Sequence, residues 1–310
     1  MLFLKNLKLN NLIKIISSDY PGLKIKNKKI LNDGWDFLAL EINKNYIIRF
    51  PKAMKCELND YGDNIKRMQV EIKVLAHLQN KISLPIPNVK LTGKKYAYFG
   101  YKKIRGVNLT KKIIWSLTKK QYKKLIFDLA NFLNEIHSAL TAGQAKQLGV
   151  LQEDYASYSD LIIAKIIKPK KIKDKQILNF IIKTTKEYQA MIKKKMVNVF
   201  LYNDLHGDNM AFDIKKKKLN GIFDFSDVMV GDINLDFNCL YRFGQKFLED
   251  IIKNYSRLSD RKLDKRRIIL YSWINEISDL ALCINRPNSK IYKNVIKEIR
   301  GWIRKQDTYL

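Results

Sequence analysis

Cysteine is scarce in this sequence, with three residues among 310. Cys56, Cys239 and Cys283 have no metal-ligand spacing, and their odd number gives no disulfide framework. This usage fits a reducing compartment, so we expect a cytoplasmic protein. Long apolar runs are also missing, and the amphipathic first residues are not followed by a small-residue cleavage site. We therefore expect neither a membrane-spanning helix nor a signal peptide.

Acidic residues are few relative to basic ones, 30 against 59, which gives a formal net charge of +29. Taken alone, this excess suggests nucleic acid or an anionic membrane as a partner. The lysines are, however, spread along the whole chain. The densest runs, Lys168–Lys175 and Lys193–Lys195, lack aromatic residues at a stacking spacing. We therefore predict a lysine-rich solvated surface and no specific nucleic-acid partner.

Apolar residues make up 46% of the chain, which argues against a disordered protein. A chain of 310 residues can bury the core of one large domain or of two lobes. Apolar residues recur at helical spacing in four stretches, and this periodicity predicts helices over Asn64–Leu78, Thr118–Leu140, Leu240–Tyr255 and Arg266–Cys283. Thr118 and Gln121 form a candidate capping box at the start of the second helix.

The stretch Phe200–Phe237 carries the chemistry. Asp204 is followed five residues later by Asn209, and Asp224 comes fifteen residues after that in an apolar run. The intervening residues predict a hairpin with strands at Met210–Phe212 and Ile222–Phe223. Such a hairpin would bring two acids and an amide oxygen to one point. This grouping suits phosphoryl transfer, in which one carboxylate receives a hydroxyl proton while an amide oxygen and a second carboxylate hold magnesium.

Two alternatives apply to the same stretch. Asp, Asn and Gly are common turn residues, so an acidic loop beside a solvated hairpin would give a similar pattern. Asp208 is a rival candidate for the base, but only Asp204 has the five-residue spacing to Asn209. His206 is interpreted as a loop residue near the phosphates, with an acid–base role as the alternative. His77 and His137 are interpreted as structural helix residues.

The stretch resembles the aminoglycoside phosphotransferase family, whose fold is related to that of protein kinases. The resemblance rests on Asp204, on Asn209, on Asp224-Phe225-Ser226-Asp227, and on Gly231-Asp232 followed by Asp236. It implies that Asp204 is the catalytic base, that Asn209 and Asp224 hold Mg²⁺, and that Asp236 braces the loop through backbone N–H groups. Tyr202 stands where the family usually has histidine, and we expect it to support the loop. Phe223 is expected to contact the nucleotide.

The first hundred residues extend the resemblance. Two β-prone runs, Phe37–Ile42 and Tyr46–Phe50, predict a hairpin, and Arg49 lies in its second strand. Arg49 and Glu71 would form the phosphate grip of a kinase, although a surface glutamate on an amphipathic helix is the ordinary alternative. This part is similar to the aminoglycoside 2''-phosphotransferase branch, which usually has lysine at the Arg49 position. The resemblance implies that the Lys102 carbonyl and the Ile104 N–H meet the purine of ATP or GTP.

Together these features predict an α/β (α+β) protein with a bilobal, kinase-like fold. Residues 1–101 would form a β-sheet lobe that binds the nucleotide, and residues 102–310 a larger, mostly helical lobe. The expected reaction is transfer of a γ-phosphoryl group to a small and cationic acceptor by a monomeric enzyme. A kinase for choline, homoserine or a sugar is one alternative, and a degenerate nucleotide-binding protein is another. A cationic acceptor needs carboxylates in its pocket, and the candidates are Asp227, Asp232, Glu249, Asp250, Glu276 and Asp279.

Overall fold

The structure is a computed structural model that describes residues 8–33, 36–52 and 64–304. Its first part consists of a five-stranded antiparallel sheet with two helices. The sheet order is β1-β2-β3-β5-β4. The elements are α1 (Leu9–Asp19), β1 (Lys28–Asp33), β2 (Phe37–Ile42), β3 (Tyr46–Pro51), α2 (Asn64–Leu78), β4 (Val89–Thr92) and β5 (Phe99–Lys102).

The second part is mostly helical. Its helices are α3 (Lys111–Trp115), α4 (Lys119–Ala139), α5 (Ala142–Gln147), α6 (Tyr155–Ile162), α7 (Lys175–Ile192), α8 (Gln245–Leu258), α9 (Lys265–Leu282) and α10 (Lys290–Arg304). A π-helical turn, Ile163–Ile167, continues α6, and 3₁₀ helices cover Gly207–Asn209 and Ile233–Phe243. The short strands are β6 (Val107–Asn108), β7 (Asn198–Leu201), β8 (Met210–Asp213), β9 (Lys218–Ile222) and β10 (Met229–Asp232).

Both faces of the central strands in the five-stranded sheet are buried, which explains their near-continuous apolar sequences. On β3, Ile48 packs with Leu12 and Ile16 of α1 in a small core on one face. Ile47 lies on the other face and joins the main core, which includes α2 and continues into the helical part. Successive strand residues point to opposite faces, so one strand serves both cores.

Several predicted elements agree with the structure. The predicted bounds Asn64–Leu78 are those of α2, and Thr118 and Gln121 form a reciprocal capping box on α4. The predicted helix over Leu240–Tyr255 is different, because its first residues belong to the 3₁₀ helix. Gly244, with a φ of +116°, separates that helix from α8. None of the described helices is both long and apolar enough to cross a bilayer.

The sequence-based fold class, a sheet lobe followed by a larger helical lobe, is confirmed. The boundary between residues 101 and 102 stays a prediction. It falls inside β5, at the end of the sheet. Cys56 lies outside the described residues, while Cys239 and Cys283 are buried free thiols.

Candidate active site

A buried carboxylate fixes the loop that follows β7. Asp236 accepts a hydrogen bond of 3.0 Å from the Tyr202 N–H and another from the Asn203 N–H. Its Oδ2 also lies 2.9 Å from Nε2 of His137 on α4, and the other ring nitrogen of His137 is 2.8 Å from the Tyr255 hydroxyl. The backbone contacts expected of Asp236 are therefore present. His137 is a buried structural residue, as its place in the sequence indicated.

Asp204 emerges from this loop into a network of polar side chains. Asn209 donates its amide N–H groups to Oδ2 of Asp204 at 2.7 Å and to the Asp204 carbonyl at 3.1 Å. His206 Nε2 is 3.2 Å from the same Oδ2. Burial lowers the pKa of His206, but the hydrogen bond and the charge of Asp204 outweigh burial and raise the pKa above its ordinary value. The neighbouring carboxylate thus stabilises the protonated form of the imidazole.

The hairpin of β8 and β9 brings Asp224 beside this network. Met210 pairs with Ile222, and the Phe223 N–H donates to the Asn209 carbonyl at 3.0 Å. Asp224 follows in a left-handed conformation, with a φ of +66°, which is strained for a residue other than glycine. A constrained backbone of this kind is common at functional sites.

Arg49 connects Asp224 to α2. Its Nη2 lies 2.7 Å from Oδ1 of Asp224, and its Nη1 lies 2.6 Å from Oε1 of Glu71. Burial opposes ionisation of Asp224, but the charge of Arg49 and a 2.8 Å hydrogen bond from Ser226 outweigh it and lower its pKa. Asp224 is therefore a carboxylate at neutral pH.

Glu71 is the most buried acid of this group. Besides Arg49 it accepts the Phe225 N–H at 3.0 Å, and both contacts use Oε1. Oε2 is buried and has no hydrogen-bond partner among the described residues. Burial raises the pKa of Glu71 to about 7, although the charge of Arg49 acts in the opposite direction.

Two further side chains link the segments of the site. The Tyr202 hydroxyl donates to the Phe223 carbonyl, so the tyrosine joins the Asp204 loop to the residue before Asp224. Arg67, on α2, lies 2.6 Å from Asp36 and also pairs with Asp227. Nothing in the sequence singled out Arg67, because the described acceptor groups that contact it come from distant positions. Its Nε donates to the Ser226 carbonyl at 2.8 Å.

Part of this network lines a cleft of about 660 Å³ between the sheet and the helical part. We call it the nucleotide cleft. The predicted residues on its wall are Arg49, Ile104, Asp204, Asn209, Phe223, Asp224 and Asp227. Lys102 is not on that wall: it pairs with Tyr46 at the end of β5 and borders a neighbouring surface groove. Lys103 lies on the wall instead, where its ammonium pairs with Glu41.

The side-chain oxygens at this site fit a magnesium ion that is also coordinated by a nucleotide. Among the described residues there is no cluster of three His, Cys, Asp or Glu side chains that would hold a metal alone. The contacts of the Asp224 carboxylate with other described residues use Oδ1, which leaves Oδ2 available. Asn209 uses its amide nitrogen for Asp204, which leaves its oxygen. One carboxylate with a few neutral oxygens is the set that Mg²⁺ adopts when phosphates and water complete its shell.

A second cavity of about 860 Å³ adjoins the nucleotide cleft, and Asp208 lines both. We call it the adjoining cavity. It lies among the 3₁₀ helix Ile233–Phe243, α9 and α10. Its charged lining residues are Lys111, Asp208, Arg242, Glu276, Asp279, Lys297 and Glu298. Burial raises the pKa of Asp279 to about 6, and Arg242 opposes this shift. Glu276 and Asp279 were among the acids that the sequence suggested, whereas Glu298 was not.

Four of the acids predicted to meet the acceptor lie outside the adjoining cavity, namely Asp227, Asp232, Glu249 and Asp250. Asp232 is fully buried, 2.7 Å from Arg267 and 2.9 Å from the Tyr271 hydroxyl, so its charge is already compensated. Glu249 faces solvent on α8 and pairs with Lys265 at 2.5 Å. Asp227 faces the nucleotide cleft and pairs with Arg67. Contact of these acids with the acceptor stays a prediction, and adjacency to the motif did not reveal how they pack.

The phosphotransferase enzyme family has a sequence model that matches residues 29–269. The chain belongs to this family. Solved structures with the same fold include a GDP complex of wild-type aminoglycoside 2'-phosphotransferase-IIIa, at a TM-score of 0.81 and 18% identity, covering 96% of this chain and 99% of that one. A gentamicin complex of APH(2")-IIa matches at 0.70 and 22%, covering 96% and 97%. Macrolide 2'-phosphotransferase type I matches at 0.66 and 14%, covering 96% and 99%.

These likenesses establish the fold of the phosphotransferase family. The family assignment and the fold predicted from sequence are thereby confirmed. Proteins of this fold differ in the acceptors that their names give, since one is in complex with gentamicin and another is called a macrolide phosphotransferase. Fold alone therefore leaves the acceptor open.

Proposed function

We propose that this protein transfers the γ-phosphoryl group of ATP or GTP to a hydroxyl of a small-molecule acceptor of the aminoglycoside type. The observation that carries the proposal is the convergence of Asp204, Asn209, Asp224 and Arg49 on one cleft, with Arg49 held from behind by Glu71. That cleft meets the adjoining cavity at Asp208. Two cavities that join beside a carboxylate suit a reaction between two bound substrates.

In this reaction Asp204 orients the acceptor hydroxyl and receives its proton. Asn209 holds Oδ2 of Asp204, which fixes the carboxylate relative to the incoming hydroxyl. Asp224 and the Asn209 amide oxygen would hold Mg²⁺, which supplies charge neutralisation for the phosphates. Arg49 lines the same wall and is held by Glu71, so its charge is positioned toward the nucleotide.

The departures from the family pattern keep their supporting contacts, which favours an active enzyme over a degenerate one. Tyr202 reaches the Phe223 carbonyl with its hydroxyl, so a side-chain donor still joins the two loops. Arg49 still pairs with the acid of α2, although the resembling branch usually has lysine at this position. The relatives named in complexes with GDP and gentamicin support a nucleotide donor and an aminosugar acceptor as the first pair to examine.

The deciding experiment measures magnesium-dependent phosphoryl transfer from ATP and from GTP to a panel of aminoglycosides and simple alcohols. Asp204→Asn should lower kcat by about 10²–10⁴-fold, because general-base catalysis typically contributes that much. The matched control is Asp213→Asn, which changes an acid at the end of β8 that lines neither cavity. Nucleotide binding that persists in Asp204→Asn would separate loss of chemistry from loss of folding.

Two outcomes would reject the proposal. One is full turnover by Asp204→Asn, which would remove the base. The other is tight nucleotide binding by the wild-type protein without transfer to any acceptor on the panel, which would favour the nucleotide-binding alternative. Transfer to an uncharged alcohol alone would keep the reaction and replace the acceptor class.

A further inference from the structure

The adjoining cavity contains an arginine that already occupies its central carboxylates. Arg242, on the 3₁₀ helix before Gly244, donates from Nε to Glu276 Oε1, and its Nη2 lies 3.4 Å from Asp279 Oδ2. Glu276 and Asp279 are three residues apart on α9, so they lie on one face of that helix. One guanidinium therefore spans both acids from across the cavity.

The charges on the wall of the cavity nearly cancel. Four carboxylates face three cations, which leaves one net negative charge. Of the carboxylates, the two on α9 are paired with Arg242, and Asp208 accepts a 2.8 Å hydrogen bond from Asn108. Arginine stays protonated at every physiological pH, so Arg242 is a permanent charge.

A polycationic acceptor would compete with Arg242 for the carboxylates of Glu276 and Asp279. An ammonium group that approached Glu276 or Asp279 would have to displace Arg242 or stand beside it, and like charges at short range repel. Displacement also breaks contacts that the acceptor must replace. A hydroxyl group meets no such obstacle, because guanidinium N–H groups donate to it and carboxylate oxygens accept from it.

We infer that Arg242 is a specificity-determining residue that selects a neutral or singly charged polyhydroxylated acceptor and disfavours polycations. This inference rests on the proposed phosphotransfer function, and among acceptors of the aminoglycoside type it favours polyhydroxylated molecules of low charge over polycations. Arg242 acts by contact with the acceptor and by occupying Glu276 and Asp279.

Calorimetric binding in the absence of nucleotide tests the inference. The probes are kanamycin and its fully N-acetylated derivative, which keeps the hydroxyl groups and loses the positive charges. Wild-type protein should bind the acetylated compound at least as tightly as kanamycin. Arg242→Gln should tighten kanamycin binding about fivefold, the upper range for a partly exposed charge pair, with less than twofold change for the acetylated compound.

Two controls keep the result specific. Lys297→Gln removes one positive charge from the same cavity at a residue that contacts neither Glu276 nor Asp279, so kanamycin binding should change less than twofold. Arg242→Lys keeps the charge but can occupy only one of the two acids, so its kanamycin affinity should lie between those of the wild-type protein and Arg242→Gln. Unfolding temperatures of all variants establish that each is folded before its binding is compared.

The inference is overturned if wild-type protein prefers kanamycin over its acetylated form by tenfold or more. Equal responses of Arg242→Gln and Lys297→Gln would overturn it too, since only general charge would then matter. Binding of neither probe at millimolar concentration would also reject it. These results are separable from the proposed function, because binding needs no phosphoryl transfer and transfer is measured independently with nucleotide present.

Discussion

The guanidinium of Arg49 bridges two carboxylates, with Nη1 2.6 Å from Glu71 Oε1 and Nη2 2.7 Å from Asp224 Oδ1. The two terminal nitrogens of a planar guanidinium can donate to both acids at once, whereas a single ammonium group cannot hold both acids in the same geometry. Arg49 also lies over the Phe37 ring at 4.5 Å, which restricts its position further. The arrangement links α2, β3 and the Asp224 loop through one side chain.

Arg49→Met should destabilise the protein by about 3 kcal/mol, because removal of one partner leaves buried carboxylates uncompensated. Urea denaturation of the protein without nucleotide measures this change. The matched control is Arg266→Met, which breaks a pair with Glu187 in which each side chain is about one-third exposed. That variant should lose less than about 1 kcal/mol. Equal losses would contradict a special contribution of Arg49.

Arg49→Lys should keep most of the stability and weaken nucleotide binding by several-fold. Lysine retains the charge, but its ammonium group can stay with Glu71 or with Asp224 and not with both. Titration of ATP and GTP in the presence of Mg²⁺ gives the two dissociation constants. If lysine tightened nucleotide binding instead, the contact between Arg49 and Asp224 would oppose nucleotide binding rather than favour it.

Tyr202→Phe should reduce both stability and turnover. The change leaves the Phe223 carbonyl without its donor, which costs about 1–2 kcal/mol, and it loosens the link between the Asp204 loop and Asp224. Tyr122→Phe is the matched control, since it removes a 2.8 Å hydroxyl bond to Asp250 on α8, away from both cavities. Both variants should lower the unfolding temperature, and only Tyr202→Phe should lower kcat. Equal kcat values would make Tyr202 a purely structural residue.

Glu153→Gln should change how stability depends on pH. Burial raises the pKa of Glu153 from 4.5 to about 7, so the folded state binds a proton there that the unfolded state releases. Stability from this group is therefore complete below pH 4.5 and falls as the pH rises toward 7. One pKa unit corresponds to about 1.4 kcal/mol, so the ionised carboxylate costs the folded protein on the order of 3 kcal/mol at pH 8.

Unfolding temperatures at pH 5.5 and pH 8 test this expectation. The wild-type protein should lose more stability than Glu153→Gln between these values, because glutamine does not ionise. Glutamine keeps the size of the side chain and a carbonyl for the 3.4 Å contact from Asn203. Parallel pH profiles of the two proteins would show that Glu153 does not titrate in this range.

Sequence periodicity and residue spacing were sufficient to predict the features that depend on residues close together in the chain. The bounds of α2 follow from apolar residues at helical intervals, and Asn209 meets Asp204 because five residues and one 3₁₀ turn separate them. The residues that would contact the acceptor were harder to predict from the sequence. Asp232 looked available beside the motif, but Arg267, which compensates it, lies 35 residues later on α9. Such pairing depends on helix packing, which no local pattern records.

The adjoining cavity illustrates the same limit. Its wall combines the 3₁₀ helix, α9 and α10. Glu298 joins it because α10 buries Val295, Ile299 and Trp302 in the core, where Trp302 stacks on Trp273 of α9. Those three apolar residues at spacings of three and four would have predicted the helix and its buried face. They would not have predicted that Glu298 lines the same cavity as Arg242.

The cytoplasmic location and the monomeric state stay predictions.

Arg67 provides the last prediction, because it joins α2 to two segments of the nucleotide cleft. It pairs with Asp227, which follows Asp224 in the loop after β9, and with Asp36, which precedes β2. Burial raises the pKa of Asp227 to about 6 even with Arg67 present. Combining Arg67→Met with Asp227→Asn should therefore cost less than the sum of the single changes, by about 1–2 kcal/mol, since the contacting pair is lost only once.

A double-mutant cycle by urea denaturation measures this coupling. The comparison cycle combines Arg67→Met with Asp250→Asn, whose carboxylate pairs with Lys246 on α8 and does not contact Arg67. That cycle should be additive within about 0.5 kcal/mol. Arg67→Met alone should exceed Asp227→Asn in cost, because it also releases Asp36 and the Ser226 carbonyl. Additivity in both cycles would mean that the Asp227 contact contributes nothing to joining α2 with the cleft.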